Sequence, residues 1–385
     1  MQLPKRSVKP WVRTWNRRVE RAVNRAVRTR DRALGAVRLG GRAADYDDEA
    51  YEFIGGASER MRAKHYDKSL RLLWKAEQHA PWSSFRDCTP LERELLSMAD
   101  QALDDAERVE RARIQTDDFR QMLKDTYTER EREALAAILS AIGHGEAYAW
   151  LVASETLREV KSTGAKAAVS MQILEEAKHF VVLRELIGAL DVEIPRLQVW
   201  EYLLLENALK ANDMEKLFGM NVVVEGIAIG IFGMLASMPG LEILRLFHLD
   251  ESRHTALPSN YFKEFPLTWW QKNSPRRRAR RLWMVLPTIP MMMGLEADAA
   301  ELGIDSFEFG GSVIRKISIL AERVGFLIPM PFPVLHQGLN QLFNAYCRVT
   351  RDDHEWVDFV QAETTTERRA LRIEREVFSG DVVMS

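Results

Sequence analysis

Cysteine is nearly absent. Cys88 and Cys347 are the only two in 385 residues, too few and too far apart for a disulfide framework or a cysteine-rich metal motif. That scarcity fits a reducing cytoplasm. The N-terminus lacks the apolar run of a secretory signal, although its arginine-rich, acid-poor character superficially matches an organellar transit peptide. Low-complexity stretches are missing too, and no segment of convincing length alternates apolar and polar residues with the period of a strand. This leaves an all-α chain with enough residues to bury a sizeable core.

The formal net charge of -2 conceals an uneven distribution. Residues 1–42 carry thirteen Lys or Arg against Glu20 and Asp31, so this arm stands at +11 and the remainder at about -13. From Lys9 to Leu39, Trp11, Trp15, Val19, Val23 and Val27 recur every four positions with arginines between them. Such a basic amphipathic helix can lie on an anionic membrane surface or bind an acidic partner. Its apolar stripe can equally pack on the chain's own body. Nucleic acid is not expected as a partner.

Four regions follow: the basic arm (1–42), a helical lead-in (43–128), a central unit (129–262) and a C-terminal helical extension (263–385). The spacing predicts surface helices between Asp45 and Asp117, then helices over Glu129–Lys161, Ala165–Leu190 and Leu197–Leu209. Asn212-Asp213 reads as a cap for the next helix. Between Phe218 and Met238 the only charge is Glu225. Length alone would suggest a membrane span, but a carboxylate in the middle of a lipid-facing helix is costly. The turn at Met238-Pro239-Gly240 then leads into a helix expected to run from Leu241 to about Leu257 and end at Pro258. Beyond it lie an aromatic segment (Phe265 to Trp270), a basic run (Arg276 to Arg281) and Met291 to Met293. Helices are expected over Ser306–Phe326, after Pro333 and over Thr364–Phe378.

The central unit carries Glu146, then Glu176-Ala-Lys-His179, then Glu225, then Glu251-Ser-Arg-His254. Residues three apart share a helix face, so each Glu-x-x-His presents one oxygen and one nitrogen to a common point. Glu225 and Glu251 stand at similar distances from the turn at Pro239, which brings them level if the two helices are antiparallel. Four carboxylates and two imidazoles converging between four helices make a site for two transition metals. Without cations, four buried carboxylates would repel one another prohibitively. Glu155 and Glu206 are the fallback carboxylates. His248, three residues before Glu251, is a candidate seventh ligand or a hydrogen-bonded core histidine, and His144 reads as structural.

Over roughly residues 130 to 257, the motifs Glu175-Glu176-Ala-Lys-His179 and Asp250-Glu251-Ser-Arg-His254 resemble those of ferritin-like di-iron carboxylate proteins. Members include the ribonucleotide reductase small subunit, bacterial multicomponent monooxygenases, acyl-carrier-protein desaturases and the para-aminobenzoate N-oxygenase type. The resemblance implies a ferritin-like four-helix bundle with additional N- and C-terminal helices. It also implies two iron ions, or a manganese/iron pair, with Asp250 orienting His179 and Glu175 orienting His254. Homodimerisation and an electron-donor protein are further implications.

The resemblance makes activation of dioxygen to oxidise an organic, apolar substrate the leading expectation. The radical-forming reductase subunit has a tyrosine one turn after the first motif's histidine; here that residue is Leu183, and Tyr148 is off the face of Glu146. Two other classes remain: an iron-handling or storage protein, and a membrane-attached protein with a vestigial centre. The two hundred-odd residues outside the central unit weigh against the first, and the complete set of six ligands against the second.

Overall fold

A computed structural model describes residues 8–36, 113–114, 116–161, 163–212 and 214–360. The helices expected over Asp45–Asp117 and Thr364–Phe378, with most of the lead-in, lie outside the described residues. Among the described residues the chain is all-α. It has α1 (Trp11–Ala36), α2 (Asp117–Thr126), α3 (Glu129–Glu159), α4 (Thr163–Ala189) and α5 (Val199–Leu209). Then come α6 (Glu215–Leu235) and α7 (Leu244–Glu264). The remainder is α8 (Trp269–Asn273), α9 (Pro275–Val285), α10 (Thr288–Glu301), α11 (Ser306–Val324) and α12 (Phe332–Thr350). The one isolated β-bridge among the described residues joins Val8 to Arg351.

Local chemistry sets several of these boundaries. Thr128 opens α3 with a capping box: its hydroxyl accepts from the Glu131 N–H, and the Glu131 carboxylate accepts from the Thr128 N–H. This satisfies two donors that the first helical turn leaves over. At Gly240, φ is +82° and a Cβ would stand 2.7 Å from Leu123, so the turn between α6 and α7 needs glycine on both counts.

Three boundaries depart from expectation. The helix after Asn212 begins at Glu215 behind Met214, which makes no side-chain cap; Asp213 is outside the described residues. Within α6, Phe218–Val224 is wound as a π-helix, and the Glu225 N–H bonds the Met220 carbonyl five residues back. Finally, α7 runs through Pro258 to Glu264 rather than ending at the proline. A helical proline forfeits the bond to the carbonyl four residues earlier, here that of His254. That carbonyl accepts instead from the Asn221 side chain at 3.1 Å, so the helix continues without a buried orphan.

The interior has two large apolar cores, and the central helices cross from one to the other. On α3 the boundary falls between Ile142 and Tyr148, on α4 between Val169 and Val182, on α6 between Val224 and Ala228, and on α7 between Phe247 and Tyr261. Two described helices, Glu129–Glu159 and Glu215–Leu235, are long and apolar enough to cross a membrane. This is a weak hint of membrane association, because 78% and 94% of their most apolar windows are buried inside the protein.

The arm helix α1 docks on the body. Asp31 accepts a 2.7 Å bond from the Tyr202 hydroxyl, and Asn16 donates to the Met293 carbonyl. Val12 and Val27 are buried, whereas Trp11, Trp15 and Val19 are exposed. A strict four-residue repeat advances about 40° per step around an α-helix. The expected stripe therefore walks off the interface along its length.

Candidate metal centre

Glu146 on α3, Glu176 and His179 on α4, Glu225 on α6, and Glu251 and His254 on α7 are all buried where the four helices cross between the cores. Their donor atoms fall into two groups, each within 4.8 Å: Glu146, Glu176, His179 and Glu251, then Glu176, Glu225, Glu251 and His254. Glu176 and Glu251 belong to both. The π-helical stretch is what sets the phase of Glu225, because it inserts extra backbone per turn immediately before that residue.

Each imidazole has one nitrogen turned inward and one outward. His179 Nδ1 lies 3.1 Å from Glu251 Oε1 and 3.3 Å from Glu146 Oε2, and His254 Nδ1 lies 3.1 Å from Glu176 Oε1 and 3.2 Å from Glu251 Oε2. Outward, His179 Nε2 is 3.0 Å from Asp250 Oδ2 and His254 Nε2 is 2.8 Å from Glu175 Oε2. Lys178 and Arg253 hold the Asp250 carboxylate, and Arg253 also bonds Glu175. Phe247 stacks on the His179 ring at 4.4 Å between centroids.

Two residues that the sequence reading passed over complete the centre. The Gln172 side-chain amide donates to Glu176 Oε1 at 3.1 Å and to Glu225 Oε1 at 3.2 Å. Its own oxygen accepts from Asn221 at 3.0 Å, and Asn221 is anchored on the His254 carbonyl freed by Pro258. Gln172 stands one turn before Glu176 and Asn221 one turn before Glu225. That spacing was the available signal.

The remaining candidates lie elsewhere. His248 is buried in neither donor group, and its Nδ1 bonds the Ile229 carbonyl at 2.9 Å. His144 faces Glu201 at 3.5 Å. Glu155 pairs with Lys216, and Glu206 with Lys210.

Burial, reinforced by Glu251, pushes the Glu146 carboxyl well above its ordinary range, and burial with Glu176 does the same to Glu225. Burial would also raise Glu176 and Glu251, but His254 and other neighbours outweigh it. Glu176 stays well below its ordinary value and Glu251 falls to about 2. Both histidines are raised well above the usual range because their carboxylate partners outweigh burial. Without metal, burial and the neighbouring carboxylates thus favour protons on Glu146, Glu225, His179 and His254 over protons on Glu176 and Glu251.

Those protons stand where cations would. If the outer nitrogens donate to Asp250 and Glu175, the inner nitrogens point lone pairs at carboxylate oxygens, an arrangement that needs a proton or a metal between them. The buried Glu/His groups therefore fit a metal ion in donor type, convergence and support. Beside them lies an apolar cavity of about 40 Å³ lined by Glu146, Glu225, Gly145, Ile227, Met291 and Leu295. No protein-family model, no curated protein and no solved structure matches this chain.

Proposed function

We propose that the chain is a non-haem di-iron oxidoreductase of the ferritin-like kind that uses dioxygen to oxidise an organic substrate. The observation that carries this reading is the pair of overlapping donor groups sharing Glu176 and Glu251, each completed by one histidine and one further glutamate. In the assignment, Glu146, Glu176, His179 and Glu251 would hold one ion and Glu176, Glu225, Glu251 and His254 the other, with Glu176 and Glu251 common to both groups. Two iron ions, or a manganese/iron pair, would supply reduction of bound dioxygen and oxidising power toward a neighbouring molecule. Asp250 and Glu175 hold the imidazole tautomers, and Gln172 holds the free oxygens of Glu176 and Glu225 in place.

The surroundings favour oxidation of a substrate over storage. The apolar cavity at Glu146 and Glu225 is large enough for dioxygen or the end of a short carbon chain. It shares Ile227, Ile231, Met291 and Leu295 with a second apolar cavity of about 60 Å³. It also shares Ala141, Glu201, Met291 and Leu295 with a polar cavity of about 590 Å³ beneath α1, a volume in the range of small-molecule sites. A substrate with its polar part under α1 and its apolar end between Met291 and Leu295 would reach the centre. The compartment expected is the cytoplasm, with a protein electron donor; homodimerisation remains part of this proposal.

The deciding experiment is metal analysis of the iron-loaded protein, followed by optical spectroscopy after mixing its reduced form with dioxygen. We expect two ions per chain and an oxygen-dependent absorption change that decays faster with an apolar substrate. Retention of fewer than one ion per chain, or no change with dioxygen, would overturn the reading.

A further inference from the structure

The aromatic segment and basic run after the central unit have no part in the metal centre. In the structure they form one surface feature, α8 and α9, folded against each other through Arg281, whose guanidinium bonds the Gln271 and Lys272 carbonyls. Arg281 is fully buried and pairs with Glu215, and Met284 is buried beside it. The opposite face of α9 presents Arg276, Trp283 and, at its end, Leu286. Trp283 is 66% exposed, and on α8 Trp269 and Trp270 are 72% and 61% exposed. Three tryptophans are thus left in water on two short consecutive helices, and Trp269 and Trp270 lie side by side with ring centroids 6.3 Å apart, an exposure that folding does not explain.

Charge selects the occupant. Lys263, Lys272, Arg276, Arg278 and Arg280 flank these tryptophans along the chain, where Glu264 is the one acid between residues 263 and 286. Among the described residues Arg278 and Arg280 bond the neutral carbonyls of Ile328 and Lys210, which leave their charge uncancelled. Arg277 and Arg281, in contrast, are taken up by Glu215. A second copy would bring the same cations against themselves across a two-fold interface. Tryptophan rings prefer the headgroup level of a bilayer, and clustered Lys and Arg are drawn to anionic lipid. We infer that the α8–α9 face docks on an anionic membrane surface, with Trp269, Trp270 and Trp283 inserted among the headgroups.

The test is flotation of the full chain with vesicles of phosphatidylcholine alone or containing about 30 mol% phosphatidylglycerol. Binding is expected only to the anionic vesicles and should weaken in about 0.5 M salt. The variant Trp269→Ala/Trp270→Ala/Trp283→Ala should lower partitioning about tenfold or more, and Lys263→Glu/Arg276→Glu should lower it with every tryptophan in place. Trp11→Ala/Trp15→Ala should leave it within about twofold. No flotation of the wild type overturns the inference, as does a loss confined to the α1 variant. So does a wild-type dimer that the triple variant splits.

Discussion

Glu225 is costly wherever metal is absent. It is an acid raised by burial and by its neighbours, tied to Gln172 among apolar residues. Replacing it with leucine removes a buried polar group without opening a large void. We expect Glu225→Leu to raise the stability of the metal-free protein by about 1 kcal/mol or more, read as Tm, while added metal should raise Tm for the wild type and not for the variant. Gln172→Leu leaves every proposed ligand intact but releases Glu176 and Glu225. A loss of about 10–100-fold in metal affinity is expected, measured by direct titration. Protonation gives a third test at this scale. Glu146, Glu225, His179 and His254 all have raised pKa values, and a metal must displace those protons. Affinity should therefore rise with pH. Calorimetry in buffers of different ionisation enthalpy should show net proton release on metal binding near neutrality, and no release would refute the assignment.

The elements of the centre depend on one another through backbone groups. Pro258 frees the His254 carbonyl, Asn221 takes it, and Asn221 in turn orients Gln172. Asn221→Ala leaves two buried acceptors short of a donor and should cost about 1–3 kcal/mol. Pro258→Ala restores an N–H that can reach the His254 carbonyl. The double variant should therefore recover part of the loss, and strict additivity of the two changes in denaturant unfolding would refute the link. The spacing of Glu146, Glu176, His179, Glu225, Glu251 and His254 was legible because carboxylates in apolar helices stand out. The π-helix before Glu225 and the continuation of α7 past Pro258 were not, since each depends on which distant group satisfies a backbone donor or acceptor.

Across the molecule, α1 forms one wall of the large polar cavity and carries Glu20, which lines it. Burial, with the charge of Glu201 added, raises the Glu20 carboxyl to about 7. A raised acid favours the folded state while protonated, and that advantage disappears as pH climbs from its unfolded value toward 7. Glu20→Gln should therefore raise Tm at pH 8 and have little effect at pH 5, in thermal melts at both pH values.

The sequence by itself determined the helical class, the basic arm and the six Glu and His positions. Each is a periodic or compositional property that a helix expresses locally. Only the tertiary structure decided that those six meet at one level between two apolar cores and that Gln172 and Asn221 brace them. It also turned Trp11 and Trp15 outward while Val12 and Val27 are buried. Those outcomes depend on helix phase and crossing geometry, which small departures from 3.6 residues per turn accumulate over many residues.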